Sequence, residues 1–217
     1  MLFFVPIAAF FFDFHIVLGV TASFHVISNV AKIGFFRKGA DWTLILRMGI
    51  PAVLFVLAGA YFSKFLSLEI FEIVMAVCLI GISALLFIYR KAVIRPTVSN
   101  TVTGGIFSGL IAGLIGTGGA IRGLVLSAFS LQKEAFIATS SAIDLAVDSG
   151  RTVVYYANGY IGKQAFSLLP ALLVVSVLGT YIGKRILLRI SEERFKGLVL
   201  ILVFLTGLFN LFKVLQH

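Results

Sequence analysis

The chain has 217 residues, of which 60% are hydrophobic and only 12% are charged, and it carries a formal net charge of +9. A chain with so few charged residues cannot cover a water-soluble globule with polar groups, so the composition indicates a polytopic membrane protein. The positive charge does not indicate nucleic acid as a partner. The lysines and arginines lie at the ends of apolar segments, where they set topology and could also attract anions.

Apolar segments follow one another along the whole chain. The first, "MLFFVPIAAFFFDFH", has neither a basic leader nor a cleavage site of small residues, so we expect it to be retained. Crossing roughly 30 Å of hydrocarbon takes about 20 apolar residues, and the segments 43–63, 70–89, 164–183 and 195–212 are long enough. None of them alternates apolar with polar residues, so we predict an all-α polytopic membrane protein rather than barrel strands.

The sequence contains an internal repeat. "PAVLFVLAGAYFSK" at 51–64 lines up with "PALLVVSVLGTYIGK" at 170–184, and "GVTASFHVISNVAK" at 19–32 lines up less closely with "IATSSAIDLAVDSGR" at 137–151. We therefore predict two repeats that form one transmembrane domain.

The repeat alignment sets the predicted boundaries at 1–95 for the first repeat and 96–217 for the second. When the alignment is extended back to the first residue, Met1 is aligned with about Gly119 of the second repeat. The first repeat therefore lacks its own copy of the glycine-rich segment, and the sequence allows two explanations, a shortened member or a protein whose true start lies about 20 residues upstream.

The distribution of basic residues predicts that the repeats are inverted. The loops after residues 36, 89 and 184 are rich in lysine and arginine, whereas the loops near 64 and 158–163 hold one lysine each. If the rich loops are cytoplasmic, the equivalent loops of the two repeats lie on opposite sides of the membrane. Residues 103–131 must then enter the membrane and return to the side from which they entered. We therefore predict a re-entrant helical hairpin with its tip at Gly118 and Gly119.

The hairpin carries the motif "GLIAGLIGTGGAIRG" at 109–123. Gly105, Gly109 and Gly113 recur at every fourth residue, so they share a helix face that another backbone can approach closely. Arg122 follows the break, where the free amide groups of the second arm and its positive dipole end would favour an anion. Two alternatives are that the glycines only pack helices while Arg122 reaches a lipid headgroup, or that the segment binds a dinucleotide, although it does not match G-x-G-x-x-G.

Two polar stripes are predicted to face each other and to line a pathway. Helix 134–157 carries Asp144, Asp148 and Arg151 on one face, and its repeat counterpart carries His25, Asn29 and Lys32 at the same spacing. A buried carboxylate here could carry a proton, or it could instead form an ion pair with Arg151 that holds helices together.

Hydroxyl groups near these stripes are candidate donors to an oxyanion. They are Thr139 and Ser140, with Thr21 and Ser23 opposite, although such hydroxyls often bond their own backbone in membrane helices. The histidines show no metal-ligand spacing and no nucleophilic triad can be assembled, so we predict neither a metal, a cofactor nor an enzyme.

Both halves resemble the sulfite exporter TauE/SafE family. "GGIFSGLIAGLIGTGGAIRGLVLSAF" and "FIATSSAIDLAVDSGRTVVYYANGYI" resemble its second repeat, and "TASFHVISNVAKIGFFRKGADWTLILRMGIPAVLFVLAGAYF" resembles its first. The resemblance implies a multi-pass permease of the bacterial inner membrane for small anions such as sulfite and sulfonates. By the match, the motif region holds Gly116, Thr117, Gly118, Gly119 and Arg122, and the following turn holds Thr139 and Ser140.

The sequence therefore predicts a permease for a small anion, driven by protons or by the membrane potential. Its expected partners are the anion and the lipid bilayer, not nucleic acid, and a homo-oligomer is allowed. The alternative is a membrane subunit that does not transport and instead binds a partner protein or a lipid.

Overall fold

The structure is a computed structural model, and it describes residues 14–36, 39–62, 68–89, 94–115, 118–157, 159 and 161–215. All regular structure in these residues is helical, which confirms the predicted all-α fold and is consistent with a membrane protein. The described residues form eight helices, α1 Phe14–Phe36, α2 Trp42–Phe62, α3 Leu68–Ile88, α4 Val98–Ile115, α5 Gly118–Ala128, α6 Lys133–Ala157, α7 Lys163–Leu187 and α8 Glu192–Leu215.

The predicted spans coincide with helices α2, α3, α7 and α8. In the described part of the chain, two stretches are long and apolar enough to cross a membrane by themselves, Trp42–Gly59 in α2 and Ser167–Leu187 in α7. Each of these helices contains an internal proline, Pro51 in α2 and Pro170 in α7, at matching positions of the sequence repeat. The alignment of the early residues, from Met1 on, lies outside the described residues.

Helices α2 and α4 pack closely because glycines lie between them. A Cβ atom on Gly105 would collide with the carbonyl oxygen of Met48, and one on Gly109 would collide with the carbonyl oxygen of Ala52 and come within 2.7 Å of its Cα. The close backbone approach predicted for these two glycines is confirmed.

The beginning of α4 and the end of α5 lie next to each other. The amide of Ile94, just before α4, donates a hydrogen bond to the carbonyl oxygen of Ala128, the last residue of α5, over 2.9 Å. Helix α5 begins at Gly118 and contains Gly119, so both glycines of the predicted tip lie in the first turn of a helix. Gly116 and Thr117, which precede them, lie outside the described residues.

Several other helix ends lie at the same end of the bundle. The Lys184 ammonium, near the end of α7, donates to the carbonyl oxygen of Phe35 in α1 over 2.8 Å. The Lys133 amide at the start of α6 donates to a Glu192 carboxylate oxygen at the start of α8 over 2.7 Å. We call this the basic end, because its described basic residues are Arg95, Lys133, Lys184, Arg185, Arg189, Arg194 and Lys196.

Helix α5 lies in the interior of the bundle. One apolar cluster places its Leu126 against Met48 of α2 and Ile143 of α6. A second cluster places its Leu124 against Leu79 of α3 and, in α8, Leu200. Because α5 is covered on both sides, a charged side chain on it must find its partner inside the protein.

Candidate anion site

Arg122 on α5 is the largest fully buried side chain of the described residues, with 1% of its surface exposed. Its guanidinium forms an ion pair with the carboxylate of Asp144 on α6, which is 27% exposed. The Nε of Arg122 has no hydrogen-bond partner within the described part of the chain. A buried guanidinium is stable only when it is paired, so Asp144 keeps Arg122 in the interior.

A second group of polar side chains joins α1 to α6. The Asn29 amide donates to the Oδ2 of Asp148 over 3.0 Å, the Lys32 ammonium donates to the Oδ1 of Asn29 over 3.0 Å, and Arg151 forms an ion pair with Asp148. The two polar stripes therefore face each other as predicted.

These two groups together contain one more cation than anion. Arg122, Arg151 and Lys32 are the cations, and Asp144 and Asp148 are the carboxylates. Each arginine is paired with a carboxylate. Lys32 instead donates its hydrogen bond in the described structure to a neutral amide, that of Asn29. A positive charge in excess within a low-dielectric interior favours a bound anion.

A cavity of about 530 Å³ lies beside Lys32 and Asp144, between α1, α6 and α7. We call it the central cavity. Phe36, Phe136 and Lys184 line it near the basic end of the bundle. The remaining lining residues are Phe24, Ser28, Lys32, Ile137, Ser140, Ser141, Asp144, Val175, Ser176, Gly179, Thr180 and Gly183.

The four predicted hydroxyl donors have different surroundings. Ser140 lines the cavity and donates to the Oδ2 of Asp144 over 3.2 Å. Ser23 donates to the carbonyl oxygen of Gly19, and Thr139 accepts a hydrogen bond from the amide of Asp41. Ser23 therefore follows the alternative interpretation, in which a hydroxyl bonds the backbone of its own helix. The partner of Thr139 belongs to the segment before α2.

The last of the four, Thr21, is 1% exposed, and its hydroxyl has no partner among the described residues. His25 is half-buried, and its ring lies edge-on to that of Phe24 with 6.0 Å between the centroids. Gly116 and Thr117 lie outside the described residues. A Cβ atom on Gly119 would meet no atom of the described residues within 4 Å. Within the described residues, no group of three His, Cys, Asp or Glu side chains is placed to hold a metal ion.

Sequence reasoning missed the contribution of α7. Ser176, Thr180 and Lys184 recur at every fourth residue of an otherwise apolar helix and line the cavity together. This periodicity is the signal in the sequence, in addition to the role of the basic residues at helix ends as markers of topology.

The bundle of apolar helices with ion pairs in its interior fits a membrane protein. The chain belongs to the sulfite exporter TauE/SafE family, whose model matches residues 1–210. No curated protein and no solved structure matches the chain. The family consists of membrane transporters and not enzymes, and the helical structure fits that class.

Proposed function

We propose that the protein is a permease that moves a small anion, such as sulfite or a sulfonate, across the bacterial inner membrane. The observation that carries this proposal is the excess positive charge beside the central cavity, where Lys32 has a neutral partner. An ammonium group has three donors, and Lys32 uses one of them on Asn29. The other two are available to an anion, with Ser140 adjacent on the cavity wall.

Arg122 and the amide end of α5 form the second part of the proposed site. Asp144 both lines the cavity and pairs with Arg122, so an entering anion could replace the carboxylate at the guanidinium. Protonation of Asp144 would free Arg122 for the anion, which would couple transport to protons. Gly118 and Gly119, the first residues of α5, would supply free amide groups of the helix start.

The proposed topology consists of two inverted repeats, 1–95 and 96–217, with α4 and α5 as a re-entrant hairpin. Asn29 and Asp148 are as far apart in the sequence as Pro51 and Pro170, so they are equivalent residues of the two repeats. The hydrogen bond between Asn29 and Asp148 supports this topology. Equivalent residues of two repeats contact each other where a two-fold axis passes between them. The bond that joins Ile94 to Ala128 supports the hairpin.

The topology predicts that Arg189, at the basic end, faces the cytoplasm. In a Cys78→Ser background, a cysteine at Arg189 should react with a membrane-impermeant maleimide only after the cells are opened. A cysteine at Gly159, between α6 and α7, should react in intact cells. Labelling of both positions from one side would contradict the inverted arrangement.

Replacement of Lys32 tests the proposed anion site. Lys32→Gln removes the charge and keeps a polar side chain that is shorter by one atom, so the apparent affinity for sulfite should fall by about one to two powers of ten, the equivalent of a charge-assisted hydrogen bond of about 1.5–3 kcal/mol. The measurement is the uptake of radiolabelled sulfite and methanesulfonate by proteoliposomes.

The matched control is Arg189→Gln, which removes an exposed charge at the basic end and should leave the uptake unchanged. If Lys32→Gln transports with wild-type affinity, Lys32 does not hold the anion. If the unaltered protein moves none of the sulfur oxyanions, the alternative of a membrane subunit that does not transport is favoured.

A further inference from the structure

The side chain of Asn29 lies between a carboxylate and an ammonium group. It belongs to α1 and is 1% exposed. Its amide nitrogen donates to the Oδ2 of Asp148 on α6, and its amide oxygen accepts from the Nζ of Lys32, each over 3.0 Å. Both polar atoms of the amide are therefore engaged, and a neutral group bridges the buried Asp148 carboxylate to Lys32.

The chemistry of these two neighbours fixes the direction of the amide. An ionised carboxylate only accepts hydrogen bonds, and an ammonium group only donates them. The opposite orientation would place the amide oxygen against the carboxylate and the amide nitrogen against the ammonium, and both contacts would be repulsive. Asp148 is itself held by its ion pair with Arg151, one turn further along α6. The carboxylate that orients Asn29 is therefore fixed in place.

The bridge also determines how the charge of Lys32 is used. Lys32 follows Asn29 by one turn of α1 and lines the central cavity, whereas Asn29 and Asp148 are not among the lining residues. Direct contact with a carboxylate would neutralise the ammonium group. Contact with a neutral amide oxygen gives the ammonium an acceptor without an opposite charge, so its field remains effective in the low dielectric of the interior.

We propose that Asn29 is a positioning residue of the anion site. Its amide, oriented by Asp148, holds the Lys32 ammonium at the wall of the central cavity and keeps its positive charge available to an anion. This inference rests on the proposed function, in which Lys32 holds the anion. Asn29 does not touch the anion and acts through Lys32, so changing it has no effect once the charge of Lys32 is removed.

Asn29→Asp tests this role, because it converts the neutral amide into a group whose charge depends on pH. When the new carboxyl group is protonated, its hydroxyl can donate to Asp148 and its carbonyl oxygen can accept from Lys32, as the amide does. When it is ionised, it neutralises Lys32. The ratio of its Kd for methanesulfonate to that of the unaltered protein should be about ten or more at about pH 8, and should fall towards one as the pH is lowered to about 4.

The ratio is measured by isothermal titration calorimetry with the purified full-length chain in lipid nanodiscs. Methanesulfonate stays ionised throughout this range. The other charged and titratable groups near the site, on α1 and on the two helices packed against it, are present in both proteins, so their titration affects both alike. They are His25 and Lys32 of α1, Asp144, Asp148 and Arg151 of α6, and Lys184 of α7.

The matched control is Asn100→Asp near the beginning of α4. The amide of Asn100 is exposed and donates to the carbonyl oxygen of Arg95 over 2.9 Å. The same chemical change at this position should leave the Kd ratio near one at every pH, because Asn100 lies outside the cavity lining.

Two further variants show whether Asn29 acts through Lys32. Asn29→Ser leaves one short polar group that cannot reach both partners, so the Kd should rise about tenfold at every pH. In a Lys32→Gln background, Asn29→Asp should raise the Kd no further. The proposal is overturned by an added loss in that background, by wild-type affinity in Asn29→Ser, or by a ratio for Asn29→Asp that does not change with pH.

The same titrations separate this inference from the proposed function. If Lys32→Gln loses affinity for methanesulfonate and Asn29→Ser does not, the anion site at Lys32 is retained and the role of Asn29 is wrong. If the unaltered protein and Lys32→Gln bind methanesulfonate equally, or neither binds it, the anion site at Lys32 is wrong, and the role of Asn29 with it.

Discussion

Arg122→Ala is expected to lower the stability of the protein and to abolish its transport. The substitution leaves the Asp144 carboxylate without its cation at the edge of the interior, and breaking such a pair costs about 3–5 kcal/mol. Because Asp144 is 27% exposed to the cavity, we expect the lower end of this range. The measurements are the thermal melting of the detergent-solubilised protein and sulfite flux in proteoliposomes.

A double variant separates stability from transport. Arg122→Met with Asp144→Asn removes both charges, so the melting temperature should return close to that of the unaltered protein, while the flux stays absent. Arg122→Lys should restore flux only in part, because an ammonium cannot hold two oxygens with the planar fork of a guanidinium. Flux at the wild-type level in the double variant would show that Arg122 serves packing alone.

Gly109→Ala is expected to prevent helices α2 and α4 from packing. The added Cβ would overlap the carbonyl oxygen of Ala52 and lie 2.7 Å from its Cα, and a backbone atom cannot move aside as a side chain can. Overpacking of this kind costs about 1–3 kcal/mol and sometimes more. The yield of monodisperse protein after solubilisation and the melting temperature should both fall sharply.

The matched control is Gly81→Ala on α3, where an added Cβ meets nothing within 4 Å. Alanine is the better helix former by about 1 kcal/mol, so this variant should be as stable as the parent or more so. Equal stability of the two variants would contradict the close contact between α2 and α4.

The sequence predicted the helices and the contact at Gly105 and Gly109 correctly because both depend on local pattern. An apolar run of about 20 residues has one stable form in a bilayer, and glycines four residues apart share a helix face. The contact between the polar stripes was predictable from the internal repeat, since Asn29 and Asp148 lie at equivalent places of two related helices.

The partner of Arg122 was not predictable in the same way. Asp144 and Asp148 lie one turn apart on the same helix, and spacing alone gives no reason for Arg122 to choose the former. The structure decides this, because the packing of α5 against α6 sets which carboxylate comes within reach. The partner of Thr139 was likewise not predictable, because the fold brings the amide of Asp41, just before α2, to its hydroxyl oxygen.

The sequence by itself determined the class of protein, the positions of its helices and the presence of charged side chains within them, since hydropathy and helical period act over a few turns of one chain segment. The tertiary structure alone decided which charges neutralise each other, which cation remains in excess, and that Lys32, Asp144 and Ser176 share one cavity. These features depend on the rotation and distance of helices that are far apart in sequence, and that geometry is set by the packing of the whole bundle.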